Sequence, residues 1–420
     1  MNQITPPALF DCLQHRHSGQ QLRVIQRRLD GLAPMVWALD GQGQLHELPM
    51  GPELAETWHR HNPPVLDNQD PARMLGCLLA GAAGDALGAP VEFMSWPEIE
   101  RTFGPGGIRT MAEAYGRRGA ITDDTQMMLF TAEGLLRGQV RARARGLCSP
   151  YSVIHNALLR WLLTQGQSPA ANVSRNGWLI KKRRLWARRA PGNTCLSALA
   201  ASTHFGEWAQ NNSKGCGGVM RVAPCAFFDN AFELASDSAR LTHGHPSGYL
   251  AAGLFADILH RLWQHGCSLE AACTGALAAH DKQPGMEETR QLIEHVLKCY
   301  RRDEKPTPRS IEQLGRGWVA EEALAIGLWC SLCAGSLEEG IILAVNHSGD
   351  SDSTGLIAGN LLGLIHGPQA IPAHWLKELE LKDVITQVAA DISFVPLRFW
   401  DYDEDDTDVS DWIWQRYPGG

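Results

Sequence analysis

From Met74 onward the chain is dominated by stretches rich in Ala, Leu and Gly: Met74 to Leu87, Met127 to Leu136, Tyr151 to Leu163, Tyr249 to Trp263, Ser268 to Ala279, Glu288 to Tyr300, Trp318 to Ala334 and Leu337 to Val345. Each runs to about ten residues or more, with apolar side chains recurring three and four apart, which predicts helices rather than strands. Nothing comparable in this zone reads as a set of strands. The middle of the chain is therefore expected to be one all-α bundle whose small residues let helices approach closely. No internal repeat of solenoid type is present.

The ends differ. In residues 1–70, the runs Leu22 to Leu29, Pro34 to Leu39 and Leu45 to Leu48, with the turn Asp40-Gly41-Gln42-Gly43 between the last two, predict a hairpin-like element. Its apolar residues, such as Met35, Val36 and Trp37, must pack on something to offset the entropy of ordering them: the chain's own core or a partner. Asn62-Pro63-Pro64 and Asp67 to Pro71 read as a linker. After residue 395, Phe399-Trp400-Asp401-Tyr402-Asp403-Glu404-Asp405-Asp406 is an acidic, aromatic and solvated segment that Trp400, Trp412 and Trp414 can anchor. The expected organisation is an extension over 1–70, a core over 71–395 and a tail over 396–420.

Charge excludes some function classes. With 38 Lys plus Arg against 46 Asp plus Glu, the net charge of −8 argues against a general grip on nucleic acid or anionic lipid. No apolar run is long enough for a signal-peptide core or a membrane span, so a soluble cytoplasmic protein is expected. Eleven cysteines without a short-spaced framework read as reduced, buried thiols. Cys330 and Cys333 form a lone C-x-x-C inside an apolar run, with no second pair to complete a zinc site. The dense basic run Lys181-Lys182-Arg183-Arg184 with Arg188-Arg189 is a solvated face, or a surface that receives an acidic partner or guides a negative substrate; no aromatic ladder supports nucleic acid there.

The strongest chemical signal is Ile121-Thr122-Asp123-Asp124-Thr125-Gln126 at the start of a predicted helix. Thr122 or Asp123 can cap it, and Asp123 with Gln126 fits the capping-box spacing. Capping needs one acceptor, which leaves a carboxylate and a hydroxyl without a task. Adjacent carboxylates repel unless a cation lies between them, and a hard ion with oxygen ligands explains all three. Ser348-Gly349-Asp350-Ser351-Asp352-Ser353-Thr354-Gly355 opens a second helix, Leu356 to Leu364, with nearly every residue offering a side-chain oxygen. Alone, a D-x-D loop is more often a cap or a solvated turn. The two helix starts together supply four Asp and two hydroxyls, which suits a two-ion Mg²⁺ or Mn²⁺ site rather than zinc.

A third feature is Gly81-Ala82-Ala83-Gly84-Asp85-Ala86-Leu87-Gly88-Ala89-Pro90-Val91-Glu92-Phe93. Asp85 lies on an otherwise close-packed helix, and Glu92 falls beyond Pro90, where that helix must end. Between Val91 and Phe93, Glu92 is expected to point into a site while its neighbours pack.

Gly84-Asp85-Ala86-Leu87-Gly88 with Glu92, then Thr122-Asp123-Asp124-Thr125 and Gly349-Asp350-Ser351-Asp352 resemble the ADP-ribosylglycohydrolase family in order and separation. Further matches are Arg189-Ala190-Pro191-Gly192-Asn193-Thr194, Ser213-Lys214-Gly215-Cys216-Gly217-Gly218-Val219-Met220-Arg221 and Thr242-His243-Gly244-His245-Pro246, and the resemblance covers about residues 72 to 370. It implies a single large orthogonal helical bundle with two Mg²⁺ ions at the floor of a cleft, removing ADP-ribose from a modified side chain, most plausibly arginine. The implied metal ligands are Thr122, Asp123, Asp124, Asp350, Asp352 and Ser353; family members often carry Thr at the positions held here by Ser351 and Ser353. Glu92 falls on the family's mobile glutamate, with Asp123 or Asp124 as base partner for the attacking water. Substrate contacts are expected from Asn193, Thr194, Ser213, Gly215, Gly217, Gly218 and His243. Of these, Asn193 and Thr194 read first as helix caps, and the Gly215 to Gly218 segment reads first as a tight turn whose exposed N–H groups can hold a diphosphate. It lacks P-loop spacing. His243 and His245 fit a helix entry as well as an adenosine contact. A competing reading is an immunity protein that occludes an ADP-ribosyltransferase toxin through residues 1–70.

Overall fold

The computed structural model describes residues 6–29, 34–61, 63, 66–398 and 407–419. Phe399 to Asp406, including Trp400, lie outside the described residues, as do Asn62 and Pro64 of the expected linker.

The N-terminal extension is a five-stranded antiparallel sheet, larger than the single hairpin expected. Its strands are β1 (Cys12–His15), β2 (Gln21–Arg28), β3 (Met35–Leu39), β4 (Leu45–Pro49) and β5 (Trp58–His61), in the order β4-β3-β2-β1-β5. The Asp40 turn closes the β3–β4 hairpin, pairing Leu39 with Leu45, because Asp40 Oδ1 accepts from the N–H groups of Gln42 (3.0 Å) and Gln44 (2.9 Å). Leu13, Leu22, Val24, Val36 and Ala38 make a small cluster on one face, while Ile25, Trp37 and Leu39 join the core of the bundle. The extension thus covers the molecule's own core.

The helices that position the site or dock the sheet are α1 (Pro71–Gly88), α2 (Asp123–Arg145), α3 (Pro150–Thr164), α4 (Pro246–His265), α5 (Ala320–Cys333), α6 (Ser351–His366), α7 (Lys382–Arg398) and α8 (Thr407–Arg416). The predicted linker residues at 70–71 instead start α1: Asp70 accepts from Ala72 N–H at 2.9 Å and Pro71 occupies the first turn, where a missing N–H costs nothing. Between α1 and α2 lies a two-stranded ribbon, Glu113–Ala114 with Arg117–Arg118, too short to show in the apolar pattern.

Helices α1 and α6 pack along their whole length, backbone against backbone. A β-carbon on Gly84 would lie 2.0 Å from the Gly355 carbonyl oxygen, and one on Gly363 would lie 2.1 Å from that of Gly76. Only glycine permits this approach, and it brings the end of α1 beside the start of α6. Ser353 and Asp124 join α6 to α2 through a hydrogen bond of 2.7 Å.

The sheet and the C-terminus meet at Asp391 on α7, fully buried. It accepts from Gln26 Nε2 (3.0 Å) and from the Tyr417 hydroxyl, and pairs with Arg416 Nε (2.8 Å). Trp37 and Trp412 both pack on Phe394, with ring centroids 5.4 and 6.3 Å away. The tail is therefore partly the docked helix α8 rather than wholly solvated. All eleven cysteines are free. No helix among the described residues is long and apolar enough to cross a membrane.

Candidate active site

Thr122 caps α2: its hydroxyl accepts from Asp124 N–H at 3.2 Å. Asp123 and Asp124 are thereby left free of capping. Gln126 takes no part in a capping box, since its amide nitrogen donates to Ala187 O while its oxygen accepts from Trp161 and Gln165. At the start of α6, Asp350 occupies the cap position, yet its side chain makes no cap bond. Helix termination explains none of these three carboxylates.

The two helix starts converge. Ser353 Oγ donates to Asp124 Oδ2, and the Thr122 hydroxyl also reaches Asp352. From the turn after α1, Glu92 closes the group: Glu92, Asp350 and Asp352 each bring a carboxylate oxygen within 4.8 Å of the others. Asp123 is held on the opposite side by Arg189, whose carbonyl accepts the Asp123 N–H at 3.0 Å, and by Gly192 N–H on its carboxylate.

Asp85 is the pillar of the arrangement and is absent from the site residues expected from sequence. Fully buried, it accepts from the N–H groups of Thr122 (3.0 Å) and Thr125 (3.2 Å) and from the Thr125 hydroxyl. It thus fixes the first turn of α2 from below. Cys216 donates its thiol to Asp350 Oδ2, while Cys216 N–H binds Trp318 O at 3.1 Å. Arg189, part of the basic run, is buried and paired at 3.3 Å with Glu380, which also takes Arg117 and the Ile121 N–H. Lys181, Arg183, Arg184 and Arg188 remain exposed.

The electrostatics are one-sided. Burial, and then the charge of Asp352, push the Asp123, Asp124 and Asp350 carboxyls well above their usual range. The same two causes raise Glu92 and lift Asp85 to about 7, its hydrogen bonds notwithstanding. Among the described residues, none of the six acids is in an ion pair, and buried Glu92 Oε2 has no hydrogen-bond partner. An orphaned carboxylate oxygen facing two others is the environment a divalent cation neutralises, and an all-oxygen donor set suits Mg²⁺ or Mn²⁺. The residues present fit such a group.

The remaining expected residues divide. Asn193 and Thr194 are not caps: Gly192 holds the cap position, so Asn193 stays exposed beside Asp123, and Thr194 Oγ1 meets Ser213 Oγ at 3.3 Å. The tight turn at Gly215 is the entry to a 3₁₀ segment, Cys216–Arg221, in which Gly218 is buried against Ala239 and Gly248. Lys214 before it is held by Glu288 and Glu321. His245 is the cap of α4, accepting from Ser247 N–H at 3.1 Å. His243 is buried beneath Gly215 and Gly217, bonded to Thr242 Oγ1 at 2.8 Å, and burial lowers it to about 3, so it is a neutral imidazole. Phe93, expected to pack, is 72% exposed and lies stacked on Trp318.

The chain is similar to several known proteins. The glycohydrolase named ADP-ribosyl-[dinitrogen reductase] glycohydrolase of Rhodospirillum rubrum is 26% identical over 325 residues, covering 74% of this chain and 91% of that protein. ADP-ribosylarginine hydrolase Tri1 of Serratia proteamaculans (strain 568) is 24% identical, covering 90% of this chain and 97% of its own length. A solved structure described as an ADP-ribosylglycohydrolase-related protein complex superposes with a TM-score of 0.59 at 26% identity, covering 79% of this chain and all of the other. The family model described as ADP-ribosylglycohydrolase matches residues 67–402, which includes all six acids, and the chain belongs to that family.

Proposed function

We propose that the protein hydrolyses the N-glycosidic bond between ADP-ribose and a protein arginine side chain. The observation that carries this reading is the convergence of Asp123, Asp124, Asp350, Asp352 and Glu92 into one buried cluster that capping does not account for. The arginine linkage is supported by the similarity to a protein named ADP-ribosylarginine hydrolase. Thr122, Asp123, Asp124, Asp350, Asp352 and Ser353 would hold two divalent cations, Mg²⁺ or Mn²⁺, with Glu92 at their edge. Bound there, such ions supply positive charge that orients ribose hydroxyls and acidifies a coordinated water.

The chain's own residues do the rest. Cleavage at an anomeric carbon passes through an oxocarbenium-like state, and negative carboxylates around it lower that barrier. Asp123 or Asp124 takes the proton of the attacking water as general base. Asp85, by fixing the N–H groups of Thr122 and Thr125, sets the direction of both. Glu92, on the turn outside α1, gates the cluster and assists proton movement as the arginine nitrogen leaves. Exposed Asn193 and the Gly215 to Gly218 segment, with neutral His243 beneath it, would receive the rest of the ADP-ribose. The alternative of toxin occlusion draws no support from the extension, whose Ile25, Trp37 and Leu39 are buried in this molecule's own core.

Incubation with arginine-linked and serine-linked ADP-ribosyl substrates in Mg²⁺, following free ADP-ribose, tests the reading. Faster release from arginine is expected; equal or reversed rates would remove the arginine assignment, and no release from either would remove the activity.

A further inference from the structure

Phe93 and Trp318 form an aromatic pair that the bundle does not need. They are 72% and 40% exposed, yet their rings are stacked, with centroids 5.9 Å apart and planes within 15°. Two segments far apart in sequence deliver them to the same rim. Phe93 directly follows Glu92, whose carboxylate faces Asp350 and Asp352. Trp318 stands on the loop against the start of α6: a β-carbon on its neighbour Gly317 would lie 3.3 Å from Asp350 Cβ, and its carbonyl accepts from the Cys216 that also binds Asp350. Exposed aromatic faces at the edge of a carboxylate cluster make a site for something flat and cationic, attracted by both ring quadrupole and acid charge.

The rim already shows this pairing once. Tyr115, 42% exposed, has the guanidinium of Arg189 at 5.2 Å from its ring centre. Among the described residues, neither Phe93 nor Trp318 carries a cation on its face. Resting on the hydrolase reading above, the geometry points to Phe93 and Trp318 as the platform on which the substrate's guanidinium lies while its bond to ribose is broken. The pair then selects arginine-linked over hydroxyl-linked ADP-ribose, because a serine leaving group offers neither a planar cation nor a face to stack.

The rival occupant of such a platform is the adenine ring, which is equally flat. It would make the contact independent of linkage. The experiment is therefore steady-state hydrolysis of ADP-ribosyl-arginine and ADP-ribosyl-serine, in Mg²⁺, by wild type, Phe93→Ala, Trp318→Ala and Trp318→Phe, with calorimetric affinity for free ADP-ribose and circular dichroism on each. Both alanine variants are expected to lower kcat/KM for the arginine substrate by about tenfold, mainly through KM, from loss of cation–π contact. The serine substrate and ADP-ribose affinity should change little, and Trp318→Phe should recover most of the loss. Phe93→Ala keeps the test sound even if Trp318→Ala disturbs its loop, since so exposed a side chain contributes little to folding. Equal losses on both linkages with weakened ADP-ribose binding would overturn the inference in favour of adenine. Unchanged selectivity in both alanine variants, with an active wild type, would overturn it outright. A wild type that cleaves neither linkage overturns the hydrolase reading and this inference with it.

Discussion

Ser353 Oγ donates to Asp124 Oδ2 at 2.7 Å, joining the first turns of two helices through a pair of residues 229 positions apart in the sequence. That bond holds the two acidic clusters as one site. Ser353→Ala removes both this tie and an oxygen from the proposed cation site. The expected result is a folded protein with Mg²⁺ affinity lowered about tenfold, the equivalent of one lost charge-assisted hydrogen bond. Ser353→Thr should keep near-normal affinity. Isothermal titration with Mg²⁺ measures both, and an unaffected Ser353→Ala protein would remove Ser353 from the site.

Asp85 supports the acidic cluster by holding the first turn of α2. Asp85→Asn places an NH₂ group against N–H donors from Thr122 and Thr125, leaving a buried donor unpaired at a cost of about 1–3 kcal/mol. Thermal melting should show that loss together with reduced kcat. A variant with unchanged melting temperature would mean that the first turn of α2 holds itself.

The cation-free protein should be least stable in alkaline solution. Burial and Asp352 raise Asp85 to about 7, and the same causes raise its neighbours, so the folded state binds protons more tightly than the unfolded chain. This contribution to stability is fully present below the ordinary Asp value of about 3.9 and is lost as pH rises through the folded value. In chelator, the melting temperature should fall from pH 5 to pH 8. Mg²⁺ at about 100 times its dissociation constant should restore about 2.7 kcal/mol at the upper end. A melting temperature indifferent to Mg²⁺ at pH 8 would contradict the binding of a cation by these carboxylates.

The helices and both acidic starts were legible because their signals are local: apolar recurrence, and more carboxylates than a cap needs. Asp85 stood out in the sequence but its role did not, since a lone acid in a Gly and Ala run acquires a task only when α1 is laid against α2 and α6. Strands β1 and β5 escaped for a similar reason. Cys12–His15 and Trp58–His61 are short and half polar: the first is a strand because it pairs with β2 on one side and β5 on the other, and the second because it pairs with β1. Trp318 lay at the edge of an apolar run and read as helix; the left-handed backbone at Gly317 (φ 78°) instead puts it in the loop before α5. The pairing of Arg189 with Glu380 likewise spans 191 positions and leaves no local trace.

Asp391 ties the sheet to the bundle and to α8. Asp391→Ala leaves the half-buried Arg416 without its carboxylate and frees Gln26 and Tyr417, which should cost about 3 kcal/mol. Denaturant melts would show a lower midpoint. Limited proteolysis should cut between the sheet and α1 in the variant before it does so in the wild type. Equal protection of both proteins would show that the aromatic contacts of Trp37 and Trp412 with Phe394 suffice.

The buried acids, on the function proposed above, are catalytic machinery and not structure. Free ADP-ribose released from an arginine-ADP-ribosylated protein in saturating Mg²⁺ should therefore be measured for wild type, Asp123→Ala and Asp350→Ala, each checked by circular dichroism. Removing one of several crowded carboxylates relieves repulsion, so both variants should remain folded. Their release rate should fall by about a hundredfold or more, the range expected for losing a general base or a cation ligand. Variants that turn over substrate at close to the wild-type rate, or that unfold, would contradict the account.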